Sequence, residues 1–208
     1  LTSDQISALS TGQIAAIAPL SVKGIDGDDL AALSADQVAA FSTAQTAALT
    51  SQQLQSFTTD QITAFGTDDI KALNIAQIPG LTSSQIAALT TDQIVALETL
   101  DLSAFVVSQI PGFSISSISV LSTSQTRALT SAQLGAMTTD QLQAFSTEQI
   151  AALSINAVKG IGSSAISALS AAQIAALSSA QTATLTTSQI MAMTTDQIQA
   201  FGTDDIKA

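Results

Sequence analysis

Leu89-Thr90-Thr91-Asp92-Gln93-Ile94-Val95-Ala96 is one unit of a repeat that fills the chain. In its frame all 208 residues divide into 26 octads, with no insertion and nothing left over. With the positions lettered a to h, a is Leu, Phe, Ile or Met in every octad and holds all seven Phe. Position b is Ser or Thr in 18 octads, e is Gln in 18, f is Ile, Leu or Val in 23 and h is Ala in 19. A fixed short period marks a repeat architecture, in which each unit buries its apolar face only against neighbouring units.

The octad encodes a helix start. With Thr90 as N-cap, its hydroxyl accepts from the Gln93 amide, and the Gln93 side chain reaches back to the Thr90 amide. This is the reciprocal capping box, S/T-x-x-Q. Leu89 then stands at N′ and Ile94 at N4, the two ends of a hydrophobic staple. A start every eight residues leaves room for about one and a half turns of α-helix. Charge placement agrees. All 16 Asp and Glu fall at b, d or e, the first turn, and the five bases Lys23, Lys71, Arg127, Lys159 and Lys207 all fall at g, near the end. That order complements the helix dipole, which rewards each such charge by roughly 0.3–1 kcal/mol when exposed.

Two other backbones fit less well. In one continuous helix the a/f stripe drifts about 80° per octad and cannot stay buried. In a strand, a and f have opposite parity and face opposite sides. Ala and Gln are also weak strand formers, which leaves a two-sided β-solenoid as the alternative fold.

Composition bounds the function. The net charge is −11, with no His, Cys, Trp or Tyr. Five scattered bases make no basic stripe of the kind that nucleic acid needs. Without Cys there are no disulfides, no thiol chemistry and no Cys-ligated zinc. The mean hydropathy is +0.41. Ser, Thr and Gln nevertheless interrupt every octad, so no run of 18 apolar residues forms a membrane span. The apolar content belongs to a long thin core, expected to be lined by a and f with the small Ala at h.

Along the chain, a few octads depart from the pattern. Residues 17–24 carry Pro19 at c and Gly24 at h, and the densest acidic cluster follows at Asp26, Asp28 and Asp29. Residues 73–80 and 105–112 end in Pro79-Gly80 and Pro111-Gly112. Pro at g removes a helical donor and Gly at h permits positive φ, so these helices are expected to end early and turn differently. Lys159-Gly160 mirrors Lys23-Gly24 in a second period: residues 1–72 match 137–208 at an offset of 136, and 65–72 recurs unchanged as 201–208. The array therefore reads as one continuous domain, 1–208, in which 1–72 and 137–208 are equivalent parts of a super-repeat. The start at Leu1 and the end on an octad boundary at Ala208 suggest a fragment of something longer.

Tandem L-[ST]-[ST]-x-Q-[IV]-x-A octads over the whole chain resemble the repeat arrays of very large surface or secreted proteins of Gram-negative bacteria. The resemblance implies an extracellular or cell-surface, structural or adhesive setting. It supplies no catalytic or ligand residues.

Each candidate for chemistry has a simpler structural reading. Asp26, Asp28 and Asp29 offer oxygen ligands for Ca²⁺, which takes six to eight. The same residues also read as an N-cap and first-turn acids. Asp68-Asp69 and Asp204-Asp205 have Lys71 and Lys207 nearby. Thr46, Thr126 and Thr182 replace the aliphatic residue at f; each hydroxyl is expected to bond the carbonyl one turn back rather than line a polar channel. Nucleophilic serine needs an activating base, and the chain has no His, so no enzyme, catalytic residue, metal or cofactor is expected. The c hydroxyls, which capping leaves unexplained, are candidate O-glycan acceptors or a lattice-matching ladder.

The sequence thus predicts an all-α solenoid of very short capped helices, one per octad. The leading function is a non-enzymatic subunit or segment of an extracellular filament, stalk or sheath, with the chain itself as partner, head to tail or laterally. A repeat adhesin or a glycan- or ice-binding module is the alternative. In urea unfolding, Thr90→Ala is expected to cost about 0.5–2 kcal/mol through the lost cap. Leu89→Ala, removing a buried staple residue, is expected to cost roughly 2–5 kcal/mol.

Overall fold

Capping decides where each element begins. In the computed structural model, which describes residues 2–207, Thr90 is extended, its Oγ1 accepts from the Gln93 amide at 3.2 Å, and its own amide donates to Gln93 Oε1 at 2.9 Å. The helix that follows, Thr91–Ala96, ends at Leu97, where the chain is again extended. The same reciprocal box opens Ser51–Ser56, Thr59–Ala64 and Thr147–Ala152. Octad after octad gives one helix of four to six residues, and no described residue lies in a strand. The fold is the all-α solenoid and not the β-solenoid.

The chain forms two compact units, Leu1–Phe105 and Val106–Ala208. One stacking rule holds within each: an octad packs on the octad three places further along. Gly27–Ala31 lies on Ser51–Ser56 and Ala35–Ala39 on Thr59–Ala64; in the second unit Thr123–Ala128 lies on Thr147–Ala152. A solenoid turn therefore takes three octads, 24 residues. Helices this short cannot persist alone in water, since nucleation is never repaid by propagation, and it is this stacking that holds them.

The core is lined as expected at a and f, with Leu89 6% and Ile94 0% exposed. At h the expectation needs correction: Ala64, Ala88, Ala96 and most of their counterparts are half-exposed, and the third buried position is e, the glutamine. The reason is direction. Position e faces the preceding turn, whereas h sits at the rim where one helix hands over to the next. In the first unit the aromatic a residues Phe41, Phe57 and Phe65 meet edge to face, with centroids 5.2–6.3 Å apart.

The proline octads depart from the pattern, but not by ending early as expected, since both run to h. Each replaces its α-helix with 3-10 structure, Ile78–Gly80 and Val107–Gly112, because Pro has no amide hydrogen for the i→i−4 bond. Their glycines, however, do not turn through positive φ; no described residue does. Gly80 is there for proximity: a Cβ would overlap the backbone of Ser51 in the preceding turn, and Gly160 abuts Ser131 in the same way. Gly80→Ala is therefore expected to destabilise by about 1–3 kcal/mol through overpacking. Gly12→Ala, inside Thr11–Ala15 with open space around it, is expected to stabilise by about 0.5–1 kcal/mol. Thermal unfolding of the two variants reads the difference in sign.

Candidate functional site

The recurring chemistry of this protein lies between its turns. Gln93, 2% exposed, spends its Oε1 on the Thr90 amide. Its Nε2 crosses to the preceding turn, donating to the carbonyls of Ile62 at 2.9 Å and Phe65 at 2.8 Å. These acceptors lie 31 and 28 residues back, at f of one octad and a of the next. The same two offsets recur for Gln53 with Val22 and Ile25, for Gln85 with Leu54 and Phe57, and for Gln77 with Thr46 and Leu49. In the second unit they recur for Gln149 with Ile118 and Leu121, and for Gln189 with Val158 and Ile161. One carboxamide thus caps its own helix and ties it to the turn before.

Only glutamine does both. A carboxylate offers no donor, and asparagine is one methylene shorter. This dual role went unread in the sequence, where the capping box alone accounts for e. A signal was present, though: the capping box accepts Glu as readily as Gln, yet neither Glu of the chain, Glu98 or Glu148, stands at e. The first turn shows the rung half-made. Gln5 and Gln13 cap Thr2 and Ser10 at 2.9 and 2.8 Å, have no preceding described turn to reach, and are exposed.

The residues singled out earlier fall into several places. Asp26 occupies the N-cap of Gly27–Ala31 but makes no side-chain cap bond. Asp28 is in the first turn, and Asp29, 8% exposed, accepts from Ser3 Oγ at 2.7 Å. A recess beside Asp26 is lined by Lys23, Gly27, Thr50, Gln52 and Ser56. Among the described residues no three acids gather closely enough to hold a metal ion. Asp204 pairs with Lys207 at 3.2 Å, both well exposed, whereas Asp69 is buried.

The three f threonines behave differently from one another. Thr126 bonds the Ser122 carbonyl at 2.9 Å, as expected. Thr46 instead donates to Asp69 Oδ1 at 3.4 Å, in the next turn, and the buried Thr182 hydroxyl finds no partner. Thr46 meets a carboxyl of the following turn, whereas the residue 23 places after Thr126 is Gln149, whose side chain is used by its own cap and by two carbonyls. The b hydroxyls are used by the caps; the c residues Thr43, Thr67 and Thr91 are exposed at the first helical position.

Four carboxyls, Asp29, Asp69, Asp101 and Asp205, stand where the glutamine usually does. Burial raises the pKa of Asp69, opposed by the Gly66 amide and the Thr46 hydroxyl, and the Asp68 charge raises it further. Burial likewise raises that of Asp101, opposed by the Glu98 amide, with the Glu98 charge adding to the rise. Exposed Glu148 is lowered by its own amide and by the Ser146 hydroxyl.

This geometry defines a class: a tandem-repeat solenoid of capped single-octad helices bonded turn to turn by glutamine. A model of the ALTTAQ repeat family matches residues 22–59, 62–99 and 126–155, together just over half of the chain, and the chain belongs to that family. No curated protein matches it. Among the described residues, no helix is long and apolar enough to cross a membrane.

The two roles of glutamine separate by substitution. Gln5→Ala removes a cap partner only, whereas Gln93→Ala also strips the side-chain donor from two buried carbonyls, leaving Ile62 with the Phe65 amide alone. Gln93→Ala is expected to cost about 1–3 kcal/mol more than Gln5→Ala in urea unfolding. Equal costs would show that the inter-turn bonds contribute nothing.

Proposed function

We propose that this chain is a non-enzymatic structural segment of an extracellular filament, stalk or sheath, acting through length and self-association. The observation that carries this reading is the uniformity of the turn-to-turn bond. One rung chemistry at fixed offsets of 28 and 31 residues serves turn after turn in both units. Stability in such an array grows with the number of neighbours, and length can change without redesign of the unit. A net charge of −11 makes side-by-side association of such chains depend on ionic strength.

A second reading, a repeat adhesin or glycan- or ice-binding surface, draws on the exposed threonines at c. Thr43, Thr67 and Thr91 succeed one another at 24-residue intervals, one per turn, and they are also the places where O-glycans would attach. Ile75, Val107, Ile115 and Ile155 interrupt the c positions elsewhere, which favours the structural reading over a continuous ligand-matching ladder.

Electron microscopy and sedimentation of the purified chain distinguish these. A filament subunit is expected to give fibres of uniform width, with association increasing as salt screens the charge. A chain that stays monomeric at micromolar concentration across that salt range, while binding a glycan or ice surface, would overturn self-assembly.

A further inference from the structure

We infer that the rung at Asp69 is an acid-closed latch: the octad 65–72 holds on the octad 41–48 when this carboxyl is protonated, and loosens when it ionises. The inference is independent of the filament reading.

The geometry comes first. Asp69 stands at e and is 6% exposed. Like the glutamines it accepts from its N-cap amide, Gly66, at 3.1 Å. Unlike them it has no amino group to send across. A glutamine in this register would donate to the carbonyls 31 and 28 residues back, those of Val38 and Phe41; neither receives a side-chain donor. The bond between turns runs the other way, from Thr46 Oγ1 to Asp69 Oδ1 at 3.4 Å, long for such a contact. An ionised Asp69 is therefore a buried acceptor with one amide and one distant hydroxyl to satisfy it, in a seam where the Val38 carbonyl has only the Phe41 amide and no side chain serves the Phe41 carbonyl. A protonated Asp69 carries an O–H and returns one donor to the seam.

The charges around it do not rescue the ionised form. Thr43–Ala48, on which Thr67–Lys71 packs, has no titratable side chain. Thr91–Ala96, packed on the other side, contributes only Asp92. The helix itself carries Asp68 and Lys71, both exposed. The pair recurs in sequence at the 136-residue offset as Thr182 and Asp205, where the Thr182 hydroxyl finds no partner. Asp101 repeats the buried carboxyl at e, at 3% exposure, with Ile78 rather than a threonine 23 residues before it. It accepts from the Glu98 amide at 3.2 Å and belongs to Thr99–Ala104, which packs on the uncharged Ile78–Gly80.

The sign follows from burial, which raises both carboxyls above their ordinary value. The folded turn binds the proton more tightly than the unfolded chain does. The stabilisation is complete below the ordinary Asp range and is lost as pH rises through the folded pKa, opposite to the usual paired carboxylate.

Hydrogen–deuterium exchange of the full chain across this range, corrected for intrinsic rates, tests it. Protection of amides in 65–72 is expected to fall with rising pH by up to about tenfold for each pH unit that the folded pKa stands above the unfolded one. The glutamine-bonded octad 81–88, which has no titratable side chain, is expected to stay flat. Asp69→Asn, which keeps the cap acceptor and cannot ionise, is expected to abolish the fall in 65–72. Thr46→Val, which removes a donor to the ionised form, is expected to move it to higher pH, read also from the Asp69 carboxyl carbon by NMR. Flat protection in the parent chain, an unchanged fall in Asp69→Asn, or an unmoved midpoint in Thr46→Val would overturn the latch.

Discussion

Everything in this structure depends on finding donors for carbonyl groups. A helix leaves its last four carbonyls without intrahelical partners. A helix of four to six residues is therefore almost all ends, and a chain built only of such helices exposes unsatisfied carbonyls throughout its core. The octad answers with one side chain. The carbonyl at f receives the amide of the next a residue, as Ile62 does from Phe65 and Ile94 from Leu97. The carbonyl at a receives the glutamine of the following turn, as Phe65 does from Gln93. Without that carboxamide a buried acceptor would recur in every octad, each a cost comparable to the caps that define the helices.

The same constraint explains the departures. Where e is not glutamine, the turn interface changes character: a carboxyl met by a threonine at Asp69, or a serine at Ser117 that closes only its local cap with Ser114. Where Pro turns the helix to 3-10 geometry at Ile78–Gly80, Gly at h lets the backbones of successive turns close up, as at Gly80 against Ser51. The variant octads are thus modified contacts within one bonding scheme. The acids at d remain on the surface, while Asp29, Asp69 and Asp101 at e are buried in the seam.

Much of this was legible in the residues. Thr90 and Gln93 announced the cap, Leu89 and Ile94 the staple and the core, and the positions of the acids and bases the direction of each helix. What escaped was anything reached across a turn. Gln93 to Phe65 spans 28 residues, Gly80 to Ser51 29, and Thr46 to Asp69 23. Each lies near the 24-residue turn, a spacing that no feature of the sequence marks. Glycine at h was accordingly read for its dihedral freedom when its missing Cβ was the point. Threonine at f was read for a local bond, which holds at Thr126 alone.

By itself the sequence determined the length of the unit, its start, and the two apolar positions, because capping and stapling act within six residues and need no neighbour. Tertiary structure decided that three octads close a turn. All octads are nearly alike, so any stacking offset would present a to a and f to f, and composition cannot choose between offsets. The choice falls to backbone geometry at each extended a–b junction, and to the reach of one glutamine side chain between a cap on its own helix and two carbonyls on the turn before.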